Sequence, residues 1–187
     1  SADVLYTNGA GATYGGQGSQ PVSGGSSTTN SFTPQYASVV NGLNFPLWVP
    51  NGDTATSVAW SITSSPFAGM LASGTATNLP NDYIDPAVGG TDLVYDEYFS
   101  IPDLSLAAGT YWLQLYGATT ADSAAVGWDE ANGISSAFAN NTDVPVPSEF
   151  FQISGTTTAT PEPSTFALLG TGILALAGAT RRKFLRS

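Results

Sequence analysis

The distribution of charge constrains this chain more than any other feature. All four basic residues, Arg181, Arg182, Lys183 and Arg186, fall in the last seven positions, and there is no histidine. Thirteen of the 14 acidic residues precede Pro161. A domain built from residues 1–160 therefore has no internal side-chain salt bridge to draw on. Its stability has to come from apolar burial and backbone hydrogen bonding. It also has no side chain that neutralises phosphate, which excludes nucleic acid as a partner. Such a surface suits neutral partners or cations, and its self-repulsion favours solubility.

The 187 residues suffice for one domain with a core and some appendages, and 21 glycines and 12 prolines point to many turns rather than long helices. Short period-two runs dominate. Leu43, Phe45, Leu47 and Val49 alternate with Asn44, Pro46 and Trp48. Val58, Trp60 and Ile62, and likewise Tyr111, Leu113 and Leu115, follow the same rule. Alternation of this kind, bounded by Gly, Pro, Asn and Asp, predicts half-buried strands. Further strands are expected at 3–7, 36–41, 67–75, 93–101, 124–129 and 149–154. Together these predict an all-β fold, an antiparallel β-sandwich of jelly-roll type. Pro46 suggests an edge strand or a bulge. Residues 8–31, rich in Gly, Ser and Thr, read as a flexible loop, and 154–160 as a linker.

The missing residue types narrow the chemistry. Without Cys, His or Lys before the tail, the usual activated nucleophiles and Schiff bases are absent, and no catalytic residue is assigned. A carboxylate pair of glycosidase type remains as a distant alternative. Its obvious candidates, Asp96–Glu97 and Asp129–Glu130, are neighbours that a strand would point to opposite faces. They read instead as solvated surface carboxylates. Calcium is the better use for acids, with Asp82, Asp85 and Asp92, and Asp129 with Glu130, as the candidate ligands. No spacing matches a defined calcium loop, and Asp favours turns for local reasons. No other cofactor is implied.

Trp48, Trp112, Tyr116 and Trp128 are the candidate sugar-binding residues, offering flat faces to pyranose rings. Trp48 and Trp112 run out of phase with the aliphatic faces of their strands, which exposes them unless a second layer covers them. Trp60, in phase with Val58 and Ile62, belongs to the core. Self-association is the competing use of an uncharged, aromatic surface, with 8–31 a candidate to add a strand to a neighbouring subunit.

The end of the chain is a separate unit. Thr165–Thr180 is uncharged and mostly apolar, and these 16 residues span roughly 24 Å as a helix. With Arg181, Arg182, Lys183 and Arg186 snorkelling beyond it, a transmembrane helix over 165–180 is expected, its basic end cytoplasmic. Pro161 and Pro163 forbid helix across the junction and leave an extended segment. Ser1-Ala2 is what a removed signal peptide would leave.

Pro161-Glu162-Pro163-Ser164, then the apolar run, then the basic cluster resembles the PEP-CTERM sorting signal. That resemblance implies an exosortase as partner, cleavage near Pro-Glu-Pro and a Gram-negative host that makes exopolysaccharide. It also implies passage through the inner membrane to the cell surface or exterior. Val58-Ala-Trp-Ser-Ile62, Leu106-Ala-Ala-Gly-Thr-Tyr-Trp-Leu113 and Trp128-Asp129-Glu130 resemble a group of β-rich PEP-CTERM ectodomains, over roughly residues 3–153. This second resemblance carries a fold and no activity. The combined expectation is a structural or adhesive, non-enzymatic surface or matrix protein linked to exopolysaccharide or biofilm. The alternative is a carbohydrate-binding module for the producer's exopolysaccharide.

Overall fold

Leu43, Phe45, Leu47 and Val49 all turn to one side of a single long strand, and each is 1% exposed or less. Burying a side chain of that size contributes roughly 1.5–3 kcal/mol, so this one alternation fixes which face of the strand is the core. The computed structural model describes residues 3–9, 18–87 and 90–158, the side chains of Asp85 and Pro86 excepted. Among them are β1 (Asp3–Asn8), β2 (Ser19–Pro21), β3 (Ser27–Phe32), β4 (Ser38–Pro50), β5 (Ala55–Ser65), β6 (Ala68–Ala76) and β7 (Asp82–Pro86). After these come β8 (Asp92–Leu106), β9 (Tyr111–Thr120), β10 (Gly127–Asp129), β11 (Ala137–Ala139), β12 (Pro145–Val146) and β13 (Phe151–Thr157). No helix occurs among the described residues, and every strand pairing is antiparallel.

The strands form two sheets. In the seven-stranded sheet, β8 lines β4 along its full length, and β7 pairs with β8. The opposite flank of β4 is shared between β13, which carries β1, and β10, which carries β2. The six-stranded sheet runs β12-β11-β3-β9-β5-β6. Their inner faces meet in one core, where Phe32 of the smaller sheet packs edge-on against Phe151 of the larger at 6.5 Å between centroids. The expected β-sandwich is therefore present. The chain divides after Thr157. The motif at 161–164, the helix expected at 165–180 and the basic cluster lie outside the described residues.

Several expectations need correction. The part of 8–31 that is described is not a loop. β2 lies within it and β3 starts in it, and Thr28, Thr29 and Asn30 are fully buried. Hydroxyl and amide side chains succeed there because the interior offers them partners, such as Thr29 Oγ1 donating to the Leu113 carbonyl at 3.2 Å. The expected strands at 36–41 and 43–49 are one strand with a bulge between Val40 and Gly42. Nor does β4 lie at an edge. Pro46 is tolerated because β13 pairing ends at Asn44 and β10 pairing starts at Leu47, so the missing N–H falls in the gap between partners. The linker expected from 154 begins too early, since Ser154–Thr157 pair with β4. Close approach explains Gly74: a Cβ there would sit 3.0 Å from the Trp60 ring, so any other residue would have to push β6 or the indole aside by a few tenths of an ångström.

Candidate functional site

The first chemical problem of a base-free domain is where its carboxylates go. Two of them, Glu97 and Glu149, are fully buried. On β8 the in-phase residues Glu97, Phe99 and Ile101 face inward, so the strand period places Glu97 in the interior beside Phe45. One oxygen accepts from the Asn81 backbone N–H at 3.1 Å. The Asn81 side chain in turn pairs both ways with Ala55, its Oδ1 accepting at 2.9 Å and its Nδ2 donating at 3.0 Å. Glu97 of the larger sheet thus reaches the first residue of β5 in the smaller sheet through one asparagine.

Glu149 repeats the device at another point. Asn30 of β3 donates to Glu149 Oε2 and accepts from the Glu149 backbone N–H at 3.1 Å. Asn8 of β1 donates to the Glu149 carbonyl at 2.7 Å and accepts from Ser135 N–H at 3.1 Å. Where another protein would place a lysine or arginine across its sheets, this one uses Glu–Asn pairs. Burial pushes the Glu97 carboxyl up to about 7, against the opposing pull of the Asn81 N–H, with Asp96 and Asp82 adding to the rise. Burial also raises Glu149 well above the ordinary carboxylate range. Oε1 of each has no hydrogen-bond partner among the described residues. A protonated carboxyl suits that setting better than a buried anion.

The outer face of the larger sheet is acidic. Asp82 of β7 lies opposite Asp96 of β8, and Asp96 accepts from Asn44 Nδ2 at 2.7 Å. Burial raises the Asp96 carboxyl against that bond, with help from Asp82. Tyr98, half exposed, is raised by its hydrogen bond to Asp82. A concavity of about 500 Å³ opens on the same face, lined in part by Asn41, Asn44, Tyr98 and Asp103.

The expected calcium ligands do not converge. Asp82 faces Asp96, whereas Asp92 sits at the other end of β8's pairing with β7. The side chain of Asp85 is not described. Asp129, buried, accepts from Trp48 Nε1, and Glu130 accepts from Gln20 Nε2 at 2.7 Å. Among the described residues no three acidic side chains gather to hold a metal ion. The reading of Asp96–Glu97 and Asp129–Glu130 as solvated doublets also needs correction. The strands do split each pair between faces, but Glu97 and Asp129 are both buried.

Two of the four aromatic candidates are buried. Trp128 is 0% exposed, wedged between Phe45 and Phe151, with its indole N–H donated to the Phe150 carbonyl at 2.8 Å. Trp48 points outward as its phase required, yet Val94 and Ala87 cover it and leave it 8% exposed. Val94 is its direct partner on β8 and Ala87 follows β7 at the next position across the sheet, so neighbours within the sheet cover the ring, and alternation within β4 alone does not reveal them.

Trp112 and Tyr116 lie out of phase with the buried Leu113 and Leu115. Together with Gln114 they form a row on the outer face of β9, all three half-buried. Residues two apart on a strand stand about 7 Å apart, so the row is a shelf on the order of 13 Å long. Phe138 of β11 flanks it, 5.5 Å from Trp112 between centroids, and Ser61 donates to Gln114 Oε1 at 3.1 Å. No charged side chain occurs on any strand of this sheet. Flat rings around an amide, with hydroxyls beside them and no charge, have the chemistry to take a neutral polyol.

Glu149, Asn30 and Tyr98 were missed from the sequence. For Glu149 a signal existed, because it runs in phase with Phe151 and Ile153. At the other end of the chain, residues 159–183 match the PEP-CTERM protein-sorting motif. No curated protein matches the chain. The motif marks an exosortase-targeted protein, exported to the cell envelope and surface.

Proposed function

From a chain that ends in this sorting motif, we propose a non-enzymatic structural or adhesive protein of the cell surface or extracellular matrix, working with the producer's exopolysaccharide or biofilm. The motif at 159–183 is the observation that carries the reading. Segment 165–180 anchors the precursor as a transmembrane helix in the inner membrane of a Gram-negative cell. Arg181, Arg182, Lys183 and Arg186 hold its end in the cytoplasm until exosortase cuts near Pro161-Glu162-Pro163-Ser164. Support for a non-enzymatic role comes from the acids themselves. Those with the most raised carboxyls, Glu97 and Glu149, are enclosed in the core, where a substrate does not reach them. The test is made in the producing bacterium. Cells lacking the protein lose matrix cohesion and recover it with the wild-type chain. With Glu162→Ala, uncleaved protein stays in the inner membrane and cohesion is not recovered. Unaltered cohesion without the protein would overturn the structural role, and normal release of Glu162→Ala would overturn the sorting step.

A second reading, a module that binds exopolysaccharide, is favoured by the Trp112–Gln114–Tyr116 row alone. It is compatible with the first, since an adhesive protein has to hold something.

A further inference from the structure

A sheet edge is an unfinished set of hydrogen bonds, and proteins normally blunt it with charge, proline, shortness or a covering strand. Nearly every edge here is blunted. β1 begins at Asp3 and is bulged between Val4 and Tyr6. β2 is three residues long and ends in Pro21. β7 carries Asp82 and Asp85, and β12 is two residues long and starts with Pro145. The stretch of β8 beyond its pairing with β7 contains Pro102 and Asp103.

β6 is the exception. Its nine residues, AGMLASGTA, hold no charge and no proline, and among the described residues it pairs with β5 alone. A bulge sits at its hairpin end, opposite Ile62 and Thr63, and leaves Ala72–Ala76 in regular register. Met70 is 65% exposed and Leu71 45%. The sheet behind this edge has no charged residue on any of its strands.

We propose that the free edge of β6 pairs antiparallel with β6 of a second copy, joining two six-stranded sheets into one continuous sheet. This rests on the structural reading above and names its partner. Charge selects the occupant. Two copies of this acidic protein repel one another wherever β1, β7 or β8 would meet, and β6 is the long edge at which no carboxylate faces another. Antiparallel pairing within one sheet places the two-fold axis perpendicular to it, so the contact is self-complementary and closed. Both outer faces then look the same way. The two Trp112–Gln114–Tyr116 rows lie on one surface, five strand spacings or about 24 Å apart.

The chain contains no cysteine, so introduced thiols report the contact directly. In the full-length protein in detergent micelles, Ser73→Cys or Thr75→Cys, both exposed on β6, should cross-link between chains on mild oxidation. The rate should be at least ~10-fold above that of Asn51→Cys in the β4–β5 turn, since a disulfide requires close Cβ atoms. Ser73→Asp with Thr75→Asp should return the protein to monomer mass. Mixing that variant with Ser73→Lys/Thr75→Lys should restore a dimer of the two different chains. Cross-linking no faster than Asn51→Cys, or a dimer that survives the aspartates, would overturn the proposal. The cysteine arm stands even if the doubly charged variants fold poorly. Exosortase-dependent release, read separately in cells carrying Glu162→Ala, is unaffected by either outcome.

Discussion

The two sheets of this sandwich divide the charge completely. Strands of the seven-stranded sheet hold Asp3, Asp82, Asp85, Asp92, Asp96, Glu97, Asp103 and Asp129, and strands of the six-stranded sheet hold none. A domain without bases cannot neutralise a carboxylate with a partner. It has to leave each one in water, bond it to an uncharged donor or keep it protonated. All three solutions appear on or beside the larger sheet: Asp82 is exposed, Asp96 is bonded to Asn44, and Glu97 is buried with a raised carboxyl. The smaller sheet, relieved of that task, is left with a neutral aromatic face and an unguarded edge.

The tryptophans test this division most severely. Trp128→Ala removes a fully buried indole from the larger sheet and should cost about 3–5 kcal/mol. Trp112→Ala removes a half-exposed ring and its contact with Phe138, and should cost about 1 kcal/mol. Urea unfolding of the two variants gives the comparison. Equal losses would mean that the smaller sheet's aromatic face is as structural as the core.

The buried acids give the next effect. The Glu97 carboxyl moves from an ordinary value of 4.5 to about 7 in the folded state, so the folded protein holds this proton more tightly than the unfolded chain does. Its contribution to stability is therefore fully present below pH 4.5 and is lost as pH rises through 7. Glu149 acts in the same direction. The protein should be more stable at pH 5 than at pH 8. Glu97→Gln should flatten that slope by on the order of 2 kcal/mol, solvent screening allowed for. General repulsion among the surface acids slopes the same way, but salt screens it and barely touches a buried group. A slope that survives Glu97→Gln and vanishes in high salt would assign the effect to the surface instead.

Much of this division was legible in the sequence where alternation is local. Leu43 to Val49, Val58 to Ile62 and Tyr111 to Leu115 each placed their own side chains correctly, and Trp60 fell in the core as its phase required. The same rule, applied to acids, would have found Glu97 in phase with Phe99 and Glu149 in phase with Phe151. Composition hid them, because charged residues are expected in water. β2 and β3 were missed because their Ser, Thr, Asn and Gln look like linker, and the partners that satisfy Gln20, Thr29 and Asn30, namely Glu130, Leu113 and Glu149, lie far along the chain. Trp48 failed for a related reason. Its phase was right, but the side chains that cover it, Val94 and Ala87, belong to neighbouring parts of the same sheet about forty residues along the chain.

The smallest effect on stability should be the most informative about function. Trp112→Ala and Tyr116→Ala leave the core intact, so each should unfold within about 1 kcal/mol of wild type. If the neutral face holds polysaccharide, co-sedimentation of the full chain with the producer's exopolysaccharide should saturate and weaken ~10-fold in either variant, because a flat ring buried on binding carries a large share of such contacts. Tyr98→Ala, on the acidic face, should bind as wild type does, with calcium or with chelator. Loss of binding on Tyr98→Ala, or on chelation, would move the contact to the larger sheet and reverse the division of labour between the two faces. An absence of binding in every case would leave the smaller sheet with β6-edge pairing as its function.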